Sequence, residues 1–211
     1  MNVYKIVETN LTLSKEEINN SFPILIPSTD AKMDISTLIN LYDISFGLEK
    51  KPMFVQSQVT ALLFARTEIF RILKNMSNKD TMRGLMIDSD ILIPINEVKK
   101  ITEEIKKADI ENYNFVIPYP SSSGSSVYSF ADGKYKQIDD IGDMRRMETC
   151  DASGLGFYYG DLPLSYKFRS DNDIGEDINF FVDNKIKPKI VSNIEILHYK
   201  RVRLGIYHSY W

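Results

Sequence analysis

Thiols are nearly absent from this sequence, whose 211 residues include one cysteine, Cys150. An intrachain disulfide and a thiolate zinc site are therefore excluded, and a reducing compartment is compatible with the chain. An excess of one charge is lacking too: 26 basic and 29 acidic residues leave a net charge of -3. That gives no general electrostatic footprint for nucleic acid or for an anionic membrane surface. Long apolar runs are missing. Residues 1–20 hold no uninterrupted apolar core of signal-peptide length, and nothing elsewhere approaches the roughly 20 apolar residues that span a bilayer. These absences predict a soluble, cytoplasmic protein with no nucleic-acid partner and no transmembrane segment. No linker rich in proline, glycine or charge interrupts the chain and no internal repeat is visible, which predicts a single domain over residues 1–211.

With 43% hydrophobic residues, such a chain can bury a substantial core without staples. Its organising stretch is Gly84-Leu85-Met86-Ile87-Asp88-Ser89-Asp90, a short apolar run that ends in two carboxylates one residue apart. Continuous apolar character predicts a strand covered on both faces. Ligands of open α/β sheets collect beyond the carboxyl ends of such strands. Two carboxylates there repel each other unless a cation neutralises them, which points to a hard metal with oxygen ligands. The competing reading is that Asp88 or Asp90 merely turns the chain or caps the next helix.

Other elements are legible in order. Residues 3–7 read as a short strand, and Ser14 with Glu17 has the spacing of a capping box. Phe22-Pro23-Ile24-Leu25-Ile26-Pro27 reads as the first parallel strand, closed by Ser28, Thr29 and Asp30. Ile35, Leu38, Ile39, Tyr42 and Phe46 repeat at helical spacing, with Gly47 placed to end the helix. A second strand follows at residues 52–58, then a helix marked by Leu62, Ile69, Leu73 and Met76, with Arg66 near its apolar positions. Ile95, Val98, Ile101, Ile105 and Ala108 mark an amphipathic helix with a solvated lysine face. Residues 113–118 read as a strand, residues 121–126 as a serine-rich mobile surface loop, and Asp132-Gly133 as a hairpin turn. Strand and helix alternate through the first half, and the second half is more irregular and strand-rich.

Three further stretches are Gly154-Leu155-Gly156, then Gly175-Glu176-Asp177-Ile178-Asn179-Phe180-Phe181, then Ile194-Glu195-Ile196-Leu197-His198-Tyr199. Placed after an apolar strand ending in Asp-Ser-Asp, this order resembles the GT-A glycosyltransferases. Pro27-Ser28-Thr29 is similar to their first nucleotide-contacting loop, and Ala65-Arg66-Thr67 to the Ala-Arg-Asn of the helix before the Asp-x-Asp strand. Family-two enzymes usually carry Asp-Asp-Gly-Ser after the second strand, where this chain has Gln56-Ser57-Gln58. In its minimal form, ending soon after His198 and with no added acceptor domain, the chain is similar to the small glycosyltransferases of archaeal viruses.

The resemblance implies a single-domain α/β fold, a GT-A, Rossmann-like, mixed and mostly parallel sheet flanked by helices. It also implies transfer of a sugar from a UDP- or GDP-sugar to a glycan, protein or lipid hydroxyl, with Mn²⁺ or Mg²⁺ as cofactor. Asp90, His198 and Asp88 would serve the metal, Asp88 alternatively the ribose; mixed carboxylate and imidazole ligation suits Mn²⁺ somewhat better. Asp177 would be the general base of an inverting transfer, with Glu176 as the second choice. Pro27, Ser28, Thr29, Arg66, Ser89, Gly154, Gly156 and Lys200 would contact the donor, and residues 121–126 and 200–211 would close over it. Acids at 176 and 177 also suit a helix N-terminus, and Arg66 equally suits a salt bridge. Rival readings are a haloacid-dehalogenase-like phosphohydrolase, whose usual small hydroxylated residue is here Leu92, and a non-catalytic nucleotide-sugar-binding or scaffold protein of the same fold.

Overall fold

The computed structural model describes residues 14–28, 33–58, 62–121, 124–138, 147–170, 175–201 and 207–209. The chain begins with α1 (Lys15–Asn19), β1 (Ser21–Ser28), α2 (Ile35–Gly47), β2 (Lys51–Gln58), α3 (Leu62–Ser77) and β3 (Thr81–Ile87). Local chemistry sets several boundaries. Ser14 and Glu17 form the reciprocal capping box of α1, and the Asp34 carboxylate accepts the Ser36 amide at the start of α2 at 2.8 Å. Then come β4 (Ile91–Leu92), a 3-10 turn at Ile95–Glu97, α4 (Val98–Glu111) and β5 (Phe115–Val116). Short strands follow: β6 (Pro120–Ser121), β7 (Gly124–Ser125), β8 (Val127–Ala131), β9 (Lys134–Gln137) and β10 (Ala152–Ser153). The remaining elements are β11 (Phe157–Pro163), α5 (Glu176–Asp183), β12 (Lys189–Ile190), β13 (Leu197–Arg201) and β14 (Tyr207–Ser209).

The protein is α/β, with a mixed six-stranded sheet in the order β12, β5, β11, β3, β1, β2. Parallel pairing joins β1 to β2, β1 to β3 and β12 to β5, and β11 runs antiparallel between β3 and β5. Such a sheet, flanked by helices, is compatible with a Rossmann-like fold. Its strands are apolar on both faces because both are covered. Leu25, Met86 and Tyr158 point into a core shared with Ile69, Phe70, Phe180 and Phe181. Ile24, Leu85, Ile87 and Phe157 point into the opposite core with Leu41, Ile44, Ile101 and Ile105. Among the described residues no helix is long and apolar enough to cross a membrane.

Three expectations are corrected. The stripe expected to face the core of α2 is largely exposed, with Ile35 at 73% and Phe46 at 85%, and the buried face carries Thr37, Asn40, Leu41, Ile44 and Ser45. The reason is a hydrogen-bond demand. Asn40 donates to the Ile93 carbonyl at 2.7 Å, and Thr37 donates to the Ile91 carbonyl while accepting the Ile93 amide. Polar groups on α2 thus satisfy backbone groups of Ile91, in β4, and of Ile93, just beyond it. Ile95, expected within the next helix, lies in the 3-10 turn before α4 and is exposed. The serine stretch is no loose loop at its end, since Ser125 and Ser126 are buried. Residues 122–123, like the strand expected at 3–7, lie outside the described residues. The Asp132-Gly133 hairpin is found as expected, with Gly133 at φ 76° between β8 and β9.

Candidate functional site

The apolar strand β3 delivers Asp88 to the carboxyl end of the sheet, where the Asp88 amide donates to the Gly156 carbonyl at 3.1 Å. A turn through Ser89 and Asp90 closes when the Ile91 amide donates to the Asp88 carbonyl. β4 then pairs antiparallel with β13, setting His198 opposite Ile91, while the Tyr199 amide donates to the Asp90 carbonyl at 2.8 Å. Backbone pairing therefore places the late histidine against the second carboxylate. His198 Nε2 lies 3.2 Å from Asp90 Oδ2.

On the other side of Asp88 stands Arg66, one turn before Phe70 on α3. Glu176 and Asp177 stand one turn before Phe180 and Phe181 on α5. Residues four apart share a helix face. The Phe70 and Phe180 rings meet edge to face at 6.2 Å, and Phe180 and Phe181 both pack against Tyr158 at 5.5 Å. This aromatic contact brings the two helix starts together. Arg66, with no exposed surface, directs Nη2 at both Asp88 oxygens at 3.1 Å and Nη1 at Glu176 at 3.1 Å and at Asp177. Asp88, Glu176 and Asp177 keep 17%, 24% and 28% of their side-chain surface exposed, so the cluster opens to solvent on the carboxylate side.

The electrostatics follow from crowding. Burial raises the Asp88 pKa, with Arg66 opposing and Asp90 adding to the rise. Burial pushes Asp177 up to about 6; Arg66 works against the rise, and the Asp88 and Glu176 carboxylates reinforce it. The three carboxylates more than offset the burial of Arg66 and keep its guanidinium protonated. Burial lowers the His198 pKa, but the hydrogen bond to Asp90 and the charges of Asp90 and Asp88 outweigh it and raise the pKa overall.

Most of the expected site residues sit at this end of the sheet. β1 pairs with β3 through Ile24 with Leu85 and Leu25 with Met86. Continuing that register sets Pro27 level with Asp88, next to the buried Ser28. Thr29 lies outside the described residues, as does the Lys200 side chain, although the Lys200 backbone is part of β13. Gly154 and Gly156 face the ring of Tyr119: a Cβ on either would come within 2.6 Å of Tyr119 atoms.

Tyr119 itself was not singled out by sequence reasoning. Its signal is Pro118-Tyr119-Pro120, in which a proline on each side restricts the backbone. Ser126 completes the hold, accepting the Tyr119 amide through Oγ at 3.1 Å and donating its own amide to the Tyr119 carbonyl at 3.0 Å.

Among the described residues no group of three or more His, Cys, Asp or Glu converges on a metal position. The donor pair on hand is Asp90 with His198. With ligand bonds of about 2.1 Å, neighbouring ligands of an octahedral ion stand about 3 Å apart, and Asp90 Oδ2 and His198 Nε2 are 3.2 Å apart. Asp88, expected at the metal or the ribose, has both oxygens against Arg66. The set fits a divalent ion that takes its other ligands from phosphate and water, as Mg²⁺ commonly does. No protein-family model matches this chain, and no curated protein is significantly similar to it.

Proposed function

We propose that the protein is a metal-dependent glycosyltransferase of the GT-A type, moving a sugar from a UDP- or GDP-sugar to an acceptor hydroxyl. One observation carries the reading. A carboxylate-imidazole pair, Asp90 with His198, and a carboxylate of raised pKa, Asp177, linked to Asp88 through Arg66, come together at the carboxyl end of the sheet, where α/β folds bind ligands. Glycosyl transfer needs both: a place for the departing diphosphate and a base for the acceptor proton.

Asp90 and His198 would hold the Mn²⁺ or Mg²⁺ ion, which when bound stabilises negative charge on the leaving diphosphate. Asp177 takes the proton from the acceptor oxygen. At a pKa of about 6 it is ionised at pH 7, yet a stronger base than an ordinary carboxylate. Arg66 keeps Asp177 and Asp88 in register, with both Nη groups given to carboxylates. Glu176, on the same guanidinium, is a positioning partner and the alternative base. Pro27, Ser28 and Ser89 border the donor side.

Incubation with UDP- and GDP-sugars and a panel of simple glycosides, alcohols and peptides tests the activity. The expected result is release of the nucleoside diphosphate, together with a glycosylated acceptor, in Mn²⁺ and not in EDTA. Release of inorganic phosphate from phosphate esters, with every nucleotide sugar left intact, would move the assignment to a phosphohydrolase.

A further inference from the structure

The Tyr119 side chain is the part of this cluster that no role yet accounts for. It follows β5 and is 8% exposed, with its ring centroid 5.1 Å from that of His198. Its hydroxyl lies over the backbone of Gly154 and Gly156, within 2.6 Å of where a Cβ of either would stand. Gly156 is the residue whose carbonyl accepts the Asp88 amide, so the ring spans from His198 to the Asp88 side of the cluster and its oxygen lies on the latter. Both backbone groups of Tyr119 are fixed by Ser126. The hydroxyl makes no hydrogen bond among the described residues, and it is not one of the buried atoms left without a partner, so the residual exposure of Tyr119 reaches its oxygen.

The surroundings select what can pair with it. Burial, and after it the carboxylates of Asp88, Asp177 and Asp90, hold the phenol's pKa well above the usual range, against the lowering charge of Arg66. A tyrosine phenol is protonated at neutral pH in any surroundings, so it offers one donor without adding charge. A phosphate at this spot would meet the charges of Asp88, Asp177 and Asp90, three carboxylates against the one guanidinium of Arg66, and be repelled. A neutral polyol has no such conflict: its hydroxyls donate to the carboxylates, and one of its oxygens accepts from the phenol.

The geometry points to Tyr119 as a residue that recognises the transferred sugar, its hydroxyl donating to a sugar oxygen between Asp88 and Asp177. This rests on the glycosyltransferase reading and adds to it the place of the sugar, beside Gly154 and Gly156 at the Asp88 end of the Tyr119 ring. Gly154 and Gly156 serve by lacking the Cβ that would displace the ring.

Tyr119→Phe removes one oxygen and keeps the ring. Because that oxygen has no partner among the described residues, its loss should leave the melting temperature unchanged or slightly higher. The test is calorimetric titration in Mn²⁺ of UDP-glucose against UDP, and of GDP-mannose against GDP, with the parent and the variant. The expected result is affinity for the bound nucleotide sugar reduced about 3- to 10-fold in Tyr119→Phe, with affinity for the matching nucleoside diphosphate unchanged. Equal affinity of parent and variant for the sugar donor overturns the inference and leaves the donor-binding reading intact, as does an equal loss for sugar donor and diphosphate. A parent that binds none of the four overturns the donor reading, and this inference with it.

Discussion

Replacing Arg66 with methionine is expected to destabilise the protein by about 3 kcal/mol, the lower end of what removing one partner of a buried ion pair usually does. The guanidinium has no exposed surface and answers three carboxylates. Methionine replaces the apolar stem but ends short of the guanidinium group, leaving Asp88, Glu176 and Asp177 facing one another. Their residual exposure of 17% to 28% places the estimate at the lower end, because water screens part of the repulsion. Lysine should not restore stability, since a point charge does not reproduce the two-pronged contact with Asp88 and α5 together. Urea denaturation with an unchanged slope checks this. The deficit should also shrink as the pH falls through about 6, where Asp177, and Asp88 with its raised pKa, begin to take up protons. A variant with the parent's midpoint at pH 7 would show that the network contributes nothing to the fold.

The second large effect is on turnover. Asp177→Asn keeps the shape and removes the basic oxygen, so kcat should fall by roughly 10²- to 10⁴-fold. Donor and metal affinity should stay near the parent's, because Arg66 retains Asp88 and Glu176. The parent's kcat/KM should rise with pH through a limb at about 6 and be flat above it, and the residual activity of the variant should lack that limb. Stability should move the opposite way. A carboxyl whose folded pKa is raised from 3.8 to about 6 contributes stability that is complete at low pH and lost as the pH climbs through about 6. Asp177→Asn should therefore be more stable than the parent at pH 7, by on the order of 1 kcal/mol, with the difference vanishing near pH 4. Loss of donor binding together with turnover would make Asp177 a binding residue, and a product that retains the donor's anomeric configuration would remove its role as base.

Local chemistry is what made much of this fold legible. The apolar runs of β1 and β3, the capping box at Ser14, the turn at Asp132-Gly133 and the acids opening α5 each have a short-range cause that a sequence displays. What failed to show is long-range. Nothing local distinguishes the face of α2 that carries Thr37 and Asn40 from a solvated one, because their partners, the carbonyls of Ile91 and Ile93, lie more than fifty residues away. Ser126 reads as one more loop serine until its contacts with Tyr119 are seen.

The site divides in the same way. Asp88, Asp90, Glu176, Asp177 and His198 stand in motifs that can be noticed one at a time. Arg66 was open to two roles, and only the approach of α5, set by the packing of Phe70 and Phe180, shows that its guanidinium is taken by carboxylates. Tyr119 belongs to no family motif, because what marks it is its ring seated where Gly154 and Gly156 lack a Cβ, and a hydroxyl without a hydrogen bond among the described residues.

Donor binding through the Asp90 and His198 pair is the central claim, and calorimetry tests it without needing the acceptor. The parent should bind a UDP- or GDP-sugar in Mn²⁺ and lose at least about tenfold in affinity when EDTA replaces the metal. Asp90→Ala should bind weakly in both. Equal affinity in Mn²⁺ and EDTA for a nucleotide sugar that the protein demonstrably transfers would contradict the account.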